Sequence, residues 1–393
     1  MAVDVTESTG RGRKVIFSAS ILKKLGVDVW IYTPRIDSHL KGKFKVVNIK
    51  PYPEKYERGI LKNIIFELKL LFRYFRSIFI DILKRKYNLV QIHGVTRGAP
   101  QLLALVGAKL IKSKVIYYYH DLHPETFVSL RKKPPRGFAY WLVRLFEKIM
   151  VENSDMIIVV SDAQALILGH RVRNTNIRVI YPPVNVDEFK DCDRYLRYLE
   201  NEYGFSRDIP TIVYLGGLEP YIRGLELMVE AMNIVVNKHK MNVRLLLVGD
   251  GPLRSTLEKM IRGYNLQNHI VILGRRPHKE AIKILCSSDV AIIAAPKTIE
   301  LETLMPTKMV EYMAAGKIII APKLLQPRII LGEYAVYFEA GDYEDLAEKI
   351  MCVVKNLNHL KANASKIVSI AHRISIESMK KKLAKIYRSL LGI

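Results

Sequence analysis

The stretch Glu300–Pro322, ELETLMPTKMVEYMAAGKIIIAP, decides the fold. It reads as loop, helix, turn and buried strand. Just upstream, Asp289–Ala294 (DVAIIA) is a short apolar run that suits a parallel strand. Pro306 fits a first helical turn, where a missing N–H is tolerated. The helix is expected to run through Tyr312 and Met313 to Ala315. Gly316 is a natural residue to end it, and Lys317–Ala321 returns as a strand.

That order leaves backbone N–H groups free at a helix N-terminus, just past the carboxyl end of a strand. Such a terminus attracts anions, because its orphan donors and the positive end of the helix dipole point the same way. Thr307 adds a hydroxyl donor and Lys308 a positive charge. Glu311 lies one turn later on their face, where a carboxylate can accept two hydrogen bonds from a vicinal diol such as a ribose. The same spacing also describes an ordinary Lys308–Glu311 pair on a helix surface, and the stretch alone does not separate the two.

The segment PTKMVEYMAAGKIIIA resembles the donor-site signature of family 4 retaining glycosyltransferases, in the subgroup with a P-x-K-x-x-E-Y-M-A motif. The resemblance implies that Glu311 holds a nucleotide ribose. The first glutamate of the family's E-x7-E motif is replaced by Thr303, and Glu302, one residue earlier, is carried as its donor-site stand-in. The implied fold is α/β with GT-B architecture, two Rossmann-like domains with parallel sheets facing across a cleft.

Length and composition fit that expectation. A chain of 393 residues holds two or three domains, and 49% hydrophobic content is ample for their cores. Cys192, Cys286 and Cys352 are far apart and have no metal-ligand spacing, which predicts a reducing compartment without a disulfide framework. No uncharged apolar run reaches the ~18 residues of a membrane span, and MAVDVTESTGRGRK lacks the apolar core of a signal peptide. A cytoplasmic protein is expected, peripheral on the inner face of the membrane. The net charge of +24 is uneven. Residues 1–190 hold 33 Lys and Arg against 16 Asp and Glu, leaving +17 there and +7 in the remainder. The surplus implies an anionic partner: membrane lipid, a phosphorylated acceptor or nucleic acid. No recognition motif supports nucleic acid.

Apolar strands alternate with helical patterns along the chain, which argues for parallel α/β sheets. Ala2–Thr6 is read as a short first strand, and Gly10-Arg11-Gly12-Arg13 as a glycine loop opening a helix to Leu25. Val27–Tyr32 is the next strand. Glu57–Lys86 is a long helical candidate with Lys62, Lys69, Arg73, Arg76 and Lys84 on one arc. Leu61, Ile64, Leu68, Leu71, Phe75, Ile78, Phe79 and Ile82 lie opposite. A crossover helix packed on the sheet and a helix meeting anionic lipid share this pattern.

Leu89–His93 (LVQIH) and Lys114–Tyr119 (KVIYYY) are strands, the second leading into His120-Asp121-Leu122-His123-Pro124-Glu125. Sites in open α/β sheets sit at such strand ends. The resemblance places His120 beside the transferred sugar, while His93 and His123 are read as structural. Three histidines raise a metal as an option; nothing fixes their convergence, the family uses none, and no metal is expected.

In the second half each glycine group follows a strand and precedes a helix, where backbone makes room for a nucleotide. These are Gly216-Gly217 with Arg223-Gly224, Gly249-Asp250-Gly251, and Gly274-Arg275. By resemblance Gly216 and Gly217 underlie the diphosphate, Arg223 and Lys308 neutralise it, and Gly274 and Arg275 meet the base. Gly10 and Gly12 face the donor phosphates.

The expected organisation is therefore an acceptor-binding domain over 1–190, a nucleotide-sugar-binding domain over 191–374, and a final helix over 375–393 crossing back to the first. The implied activity is retaining transfer of a sugar from a nucleotide-sugar donor to a glycan, lipid-linked or phosphorylated acceptor. His120, Arg223 and Lys308 carry the chemistry, and Lys62, Lys69, Arg73 and Arg76 meet membrane or acceptor. Two other readings stay open: a nucleotide-sugar epimerase, and a homologue that binds nucleotide sugar or membrane without transfer.

Overall fold

The computed structural model describes residues 5–6, 10–49, 68–94, 99–122, 125, 137–173, 176–220 and 223–393. It divides into two compact units, Met1–Pro183 with Met379–Ile393, and Val184–Ser378.

In the first unit, α1 (Gly10–Lys24) leads to β1 (Trp30–Thr33), which pairs in parallel with β2 (Lys45–Asn48). A second sheet takes β3 (Leu89–His93), β4 (Lys114–Tyr119), β5 (Met156–Val159) and β6 (Ile177–Val179) side by side, all parallel. Of the expected first strand, residues 2–4 lie outside the described residues. Val5 is buried and forms a single parallel bridge with Ile36. The strand expected from Val27 begins only at Trp30. Gly10 and Gly12 fall inside the first turn of α1, not in a loop ahead of it.

The long basic helix is described from residue 68, so Lys62, Leu61 and Ile64 lie outside the described residues. Residues 68–85 form α2, with a π-helical turn at Phe75–Phe79. Its buried row is Leu70, Tyr74, Ile78 and Ile82, four residues apart, packed with Leu103 and Ala104 of α3 (Ala99–Leu110). Leu68, Leu71 and Phe75, expected on the packed side, are 61%, 44% and 40% exposed, and Phe72 is 66% exposed. The apolar arc of α2 is wider than the strip α3 covers, and the π turn shifts register midway. Ile78 and Ile82 therefore turn inward while the first turns leave apolar surface outside.

Parallel strands of one sheet joined in sequence take right-handed crossovers, which sets α3 and α4 (Phe138–Glu152) on one face. Ala104 packs against the α2 row and also against the core under the sheet, which Phe146 and Ile149 of α4 cover as well. The layer continues with α5 (Asp162–Arg171), whose N-cap Ser161 accepts from Gln164 N.

The second unit is a six-stranded parallel sheet in the order β12-β11-β10-β7-β8-β9. The strands are β7 (Thr211–Leu215), β8 (Arg244–Val248), β9 (Ile270–Gly274), β10 (Val290–Ile292), β11 (Ile318–Pro322) and β12 (Ala335–Phe338). Every residue of β7, β8, β10 and β11 is buried, as a sheet covered on both faces requires. The covering helices include α6 (Leu225–Asn233), α7 (Arg254–Gly263), α8 (His278–Ser287), α9 (Thr307–Ala314), α10 (Leu325–Leu331), α11 (Tyr343–Lys355) and α12 (Ala364–Arg373). The order runs outward both ways from β7 and β10, so these strands mark the switch point where open α/β sheets hold ligands. The last helix, α13 (Ile376–Leu391), takes residues from Met379 onward into the first unit, where Met379 Sδ accepts from Tyr181 N.

The cysteine expectation is overturned as well. Cys192 and Cys286 form a disulfide, their Cα atoms 4.9 Å apart. The helical turn Cys192–Tyr195 packs on α8, bringing together residues 94 apart in sequence. Sequence distance hid this contact, and the inference of a reducing compartment from cysteine spacing falls with it. Thiol titration of denatured, unreduced protein should therefore find one free thiol, Cys352; three would contradict the pairing.

Candidate functional site

The second unit gathers its candidates at the carboxyl ends of β7 and β10. The loops leaving β7 and β8 lie against each other: Gly216 N donates to Val248 O, and Leu218 N to Asp250 O. Gly216 and Gly249 have φ of 142° and 156°. A Cβ on Gly249 would lie 1.9 Å from the Gly216 carbonyl oxygen, and one on Gly216 would lie 2.6 Å from Lys308 Nζ. Only glycine fits there.

Lys308 reaches into this loop from the first turn of α9. Its Nζ sits 3.7 Å from the centre of the Tyr214 ring, a cation–π contact. Burial and the nearby Arg223 charge hold its pKa well below the usual lysine value, and Glu311 opposes them. Tyr214 is pushed up to about 12, mainly by burial, with Arg223 pulling the other way. Arg223 Nε is buried without a hydrogen-bond partner among the described residues. Two cations thus face one loop, with the Glu311 carboxylate near Lys308 and the Glu219 carboxylate beside Gly217, an arrangement of charges suited to an anionic ligand.

The first turn of α9 is open as well, since no side chain caps it at Pro306. The helix is held by Tyr312, fully buried, whose hydroxyl accepts from Leu215 N at 2.8 Å. Thr307 lies in the same turn, half-buried. Gly224 caps α6 in a left-handed conformation beside Ala294 and Ala295 of the switch point. Gly217 accepts from the Tyr214 hydroxyl. Gly251 packs against the Leu218 backbone, Gly274 ends β9, and Arg275 is exposed. Glu302 Oε2 accepts from Leu325 N at 2.6 Å, capping α10.

The first unit holds a second constellation. His120, 3% exposed, directly follows β4, and the Gln164 amide fixes its backbone carbonyl. The next residue, Asp121, pairs with Arg11 of α1. Lys14, one turn on, is lowered to about 8, chiefly by burial, with Asp121 pulling it back up. His93, expected to be structural, stacks with Tyr118 and His120. Burial first, and Lys14 second, push it down to about 3. His123 lies outside the described residues. Lys69, Arg73 and Arg76 are exposed on α2.

Sequence reading missed Tyr214, which looks like any inward residue of an apolar strand. It also missed the Arg11–Asp121 pair and Lys14, although a basic first turn of α1 after a strand was a usable signal.

Comparison with known proteins gives these geometries a family. Residues 19–188 match the model of Glycosyltransferase Family 4, and residues 209–356 that of Glycosyl transferases group 1. The chain is 26% identical over 229 residues to a phosphatidylinositol N-acetylglucosaminyltransferase GPI3 subunit of Saccharomyces cerevisiae, covering 58% of this chain and 48% of that one. It is 23% identical over 209 residues to the N-acetyl-alpha-D-glucosaminyl L-malate synthase of Bacillus anthracis, covering 52% of each. The match thus spans about half the length of these curated relatives. A Rickettsia africae glycosyltransferase structure superposes with a TM-score of 0.74 at 18% identity, covering 98% of this chain and 97% of that one. An Anabaena protein solved with UDP gives 0.74 at 15% identity, with 98% and 97% covered. The two family models together span most of the chain, the fold is that of the GT-B enzymes, and the chain belongs to the family 4 glycosyltransferases.

Proposed function

We propose that this protein is a retaining glycosyltransferase moving a sugar from a nucleotide-sugar donor to a glycan or lipid-linked acceptor at an anionic membrane surface. The observation that carries the reading is the convergence of Lys308, Arg223 and the open first turn of α9 on the Gly216 loop. In this reading the diphosphate lies on that loop and Glu311 takes the ribose hydroxyls. As the glycosidic bond breaks, charge grows on the leaving diphosphate. Preformed positive groups there stabilise the transition state more than the ground state. Arg223 and Lys308 supply that charge from the protein, so no metal is expected. His120 stands beside the transferred sugar.

Two features support the acceptor side. The yeast relative is named for a phosphatidylinositol substrate. On the first unit, α2, α3 and α4 expose apolar side chains, among them Phe72, Leu110 and Trp141, and α2 interleaves them with Lys69, Arg73 and Arg76. Rings at headgroup depth with cations around them suit an anionic bilayer, each cation adding about 1 kcal/mol. No helix among the described residues is long and apolar enough to cross a membrane.

Three outcomes follow. Glu311→Ala should weaken binding of a ribonucleoside diphosphate about tenfold, the size of a charged hydrogen bond, while leaving the 2′,3′-dideoxy analogue unaffected. Equal affinities would remove the ribose assignment. Burial and Arg223 lower the Lys308 pKa and a bound diphosphate raises it again, so diphosphate binding is linked to proton uptake by Lys308. Affinity should fall as pH rises through the lowered Lys308 pKa, whereas the bare nucleoside shows no trend; a flat diphosphate profile would contradict this use of Lys308. Finally, Phe72→Ser with Arg73→Glu and Arg76→Glu should abolish salt-sensitive flotation with anionic vesicles. Retained flotation would remove α2 from the membrane contact.

A further inference from the structure

Four side chains of the first unit form one hydrogen-bonded line from the last helix to the end of β4. The Tyr387 hydroxyl of α13 donates to Gln91 Oε1 at 2.7 Å. Gln91 Nε2 lies 2.8 Å from His93 Nε2, and His93 Nδ1 lies 2.9 Å from His120 Nε2. Roles along such a line are not independent, because an amide oxygen only accepts and an amide nitrogen only donates. With Oε1 receiving the Tyr387 proton, Gln91 Nε2 donates to His93 Nε2. That nitrogen is then an acceptor, so the His93 proton sits on Nδ1 and is donated to His120 Nε2. His120 in turn carries its own proton on Nδ1.

We propose that Tyr387, Gln91 and His93 are positioning residues that hold His120 as a neutral imidazole with its proton on the buried Nδ1, a hydrogen-bond donor rather than a general base. The functional half of this rests on the place given to His120 in the transfer reaction above; the tautomer does not. The surroundings favour the neutral form. His93, Tyr118 and His120 stack with ring centres about 5 Å apart. Lys14 approaches from α1 and disfavours a second positive charge on His93. Asp121 is engaged with Arg11. Tyr387 is itself fully buried, its proton held by burial. The line also gives α13 a task besides packing, since a residue near the chain's end sets the proton position at the site.

The test reads the rings directly. Full-length protein labelled with 15N-histidine is examined by long-range 1H–15N correlation. The two rings among ten histidines are assigned with His93→Asn and His120→Asn. Both should be Nδ1–H tautomers that do not titrate between pH 5 and 8. Gln91→Glu, whose carboxylate can only accept, should move the His93 proton to Nε2. Tyr387→Phe, which keeps the ring in place, should lower kcat about tenfold, the size of one hydrogen bond, with nucleoside diphosphate affinity unchanged. Nε2–H tautomers in the unmodified protein would mean the line runs the other way. A His120 titrating near its ordinary value would mean that it is free to act as a base. Either result overturns the proposal. The tautomers are read without turnover, so the assignment stands or falls separately from the transfer reaction.

Discussion

The second unit depends on one close approach, that of the Gly249 backbone to the Gly216 carbonyl. The two loops beyond β7 and β8 can lie together only if the second carries no side chain at Gly249. Their contact makes the shelf into which Lys308 projects. Any larger residue at Gly216 would displace the ammonium, and any at Gly249 would part the loops. The shelf sits where strand order reverses, so the helices following β7 and β10 diverge and leave the crevice open. Sheet order, two glycines and one buried lysine are thus a single constraint.

Charge gives that constraint its chemical meaning. A lysine tucked against Tyr214 and repelled by Arg223 sits in an environment that disfavours its own protonation. Such an arrangement costs stability in the empty protein, and an anion relieves it. The first unit is organised the other way. There Arg11 is already paired with Asp121, and His93 nearby is kept neutral by burial. One unit is prepared to receive negative charge, while the other holds proton positions fixed.

Much of this was legible in the residues. The alternation of buried strands and helices gave the parallel α/β class, and Pro306 to Gly316 gave the bounds of α9 to within a residue or two. Glycines after strand ends marked the shelf because backbone geometry is written in residue type. What stayed hidden required knowledge of which segments meet. The pairing of Cys192 with Cys286 depends on how the turn after residue 190 packs on α8. The outward face of α2 depends on how much of its apolar arc α3 covers. Gln91, in the middle of a strand, gave no sign that it joins Tyr387 to His93. Glu302 carried a donor-site expectation by its nearness to a motif position, and nothing in the residues signalled that its carboxylate also caps α10.

The most direct measurement is calorimetric titration of the folded, full-length protein with UDP-, GDP- and ADP-sugars in the presence of a chelator. The account predicts saturable one-to-one binding of the donors of one base, unchanged by removal of divalent cations, and abolished when Lys308 and Arg223 are both replaced by alanine. Absence of binding by every donor, or binding that survives the double replacement, would contradict it.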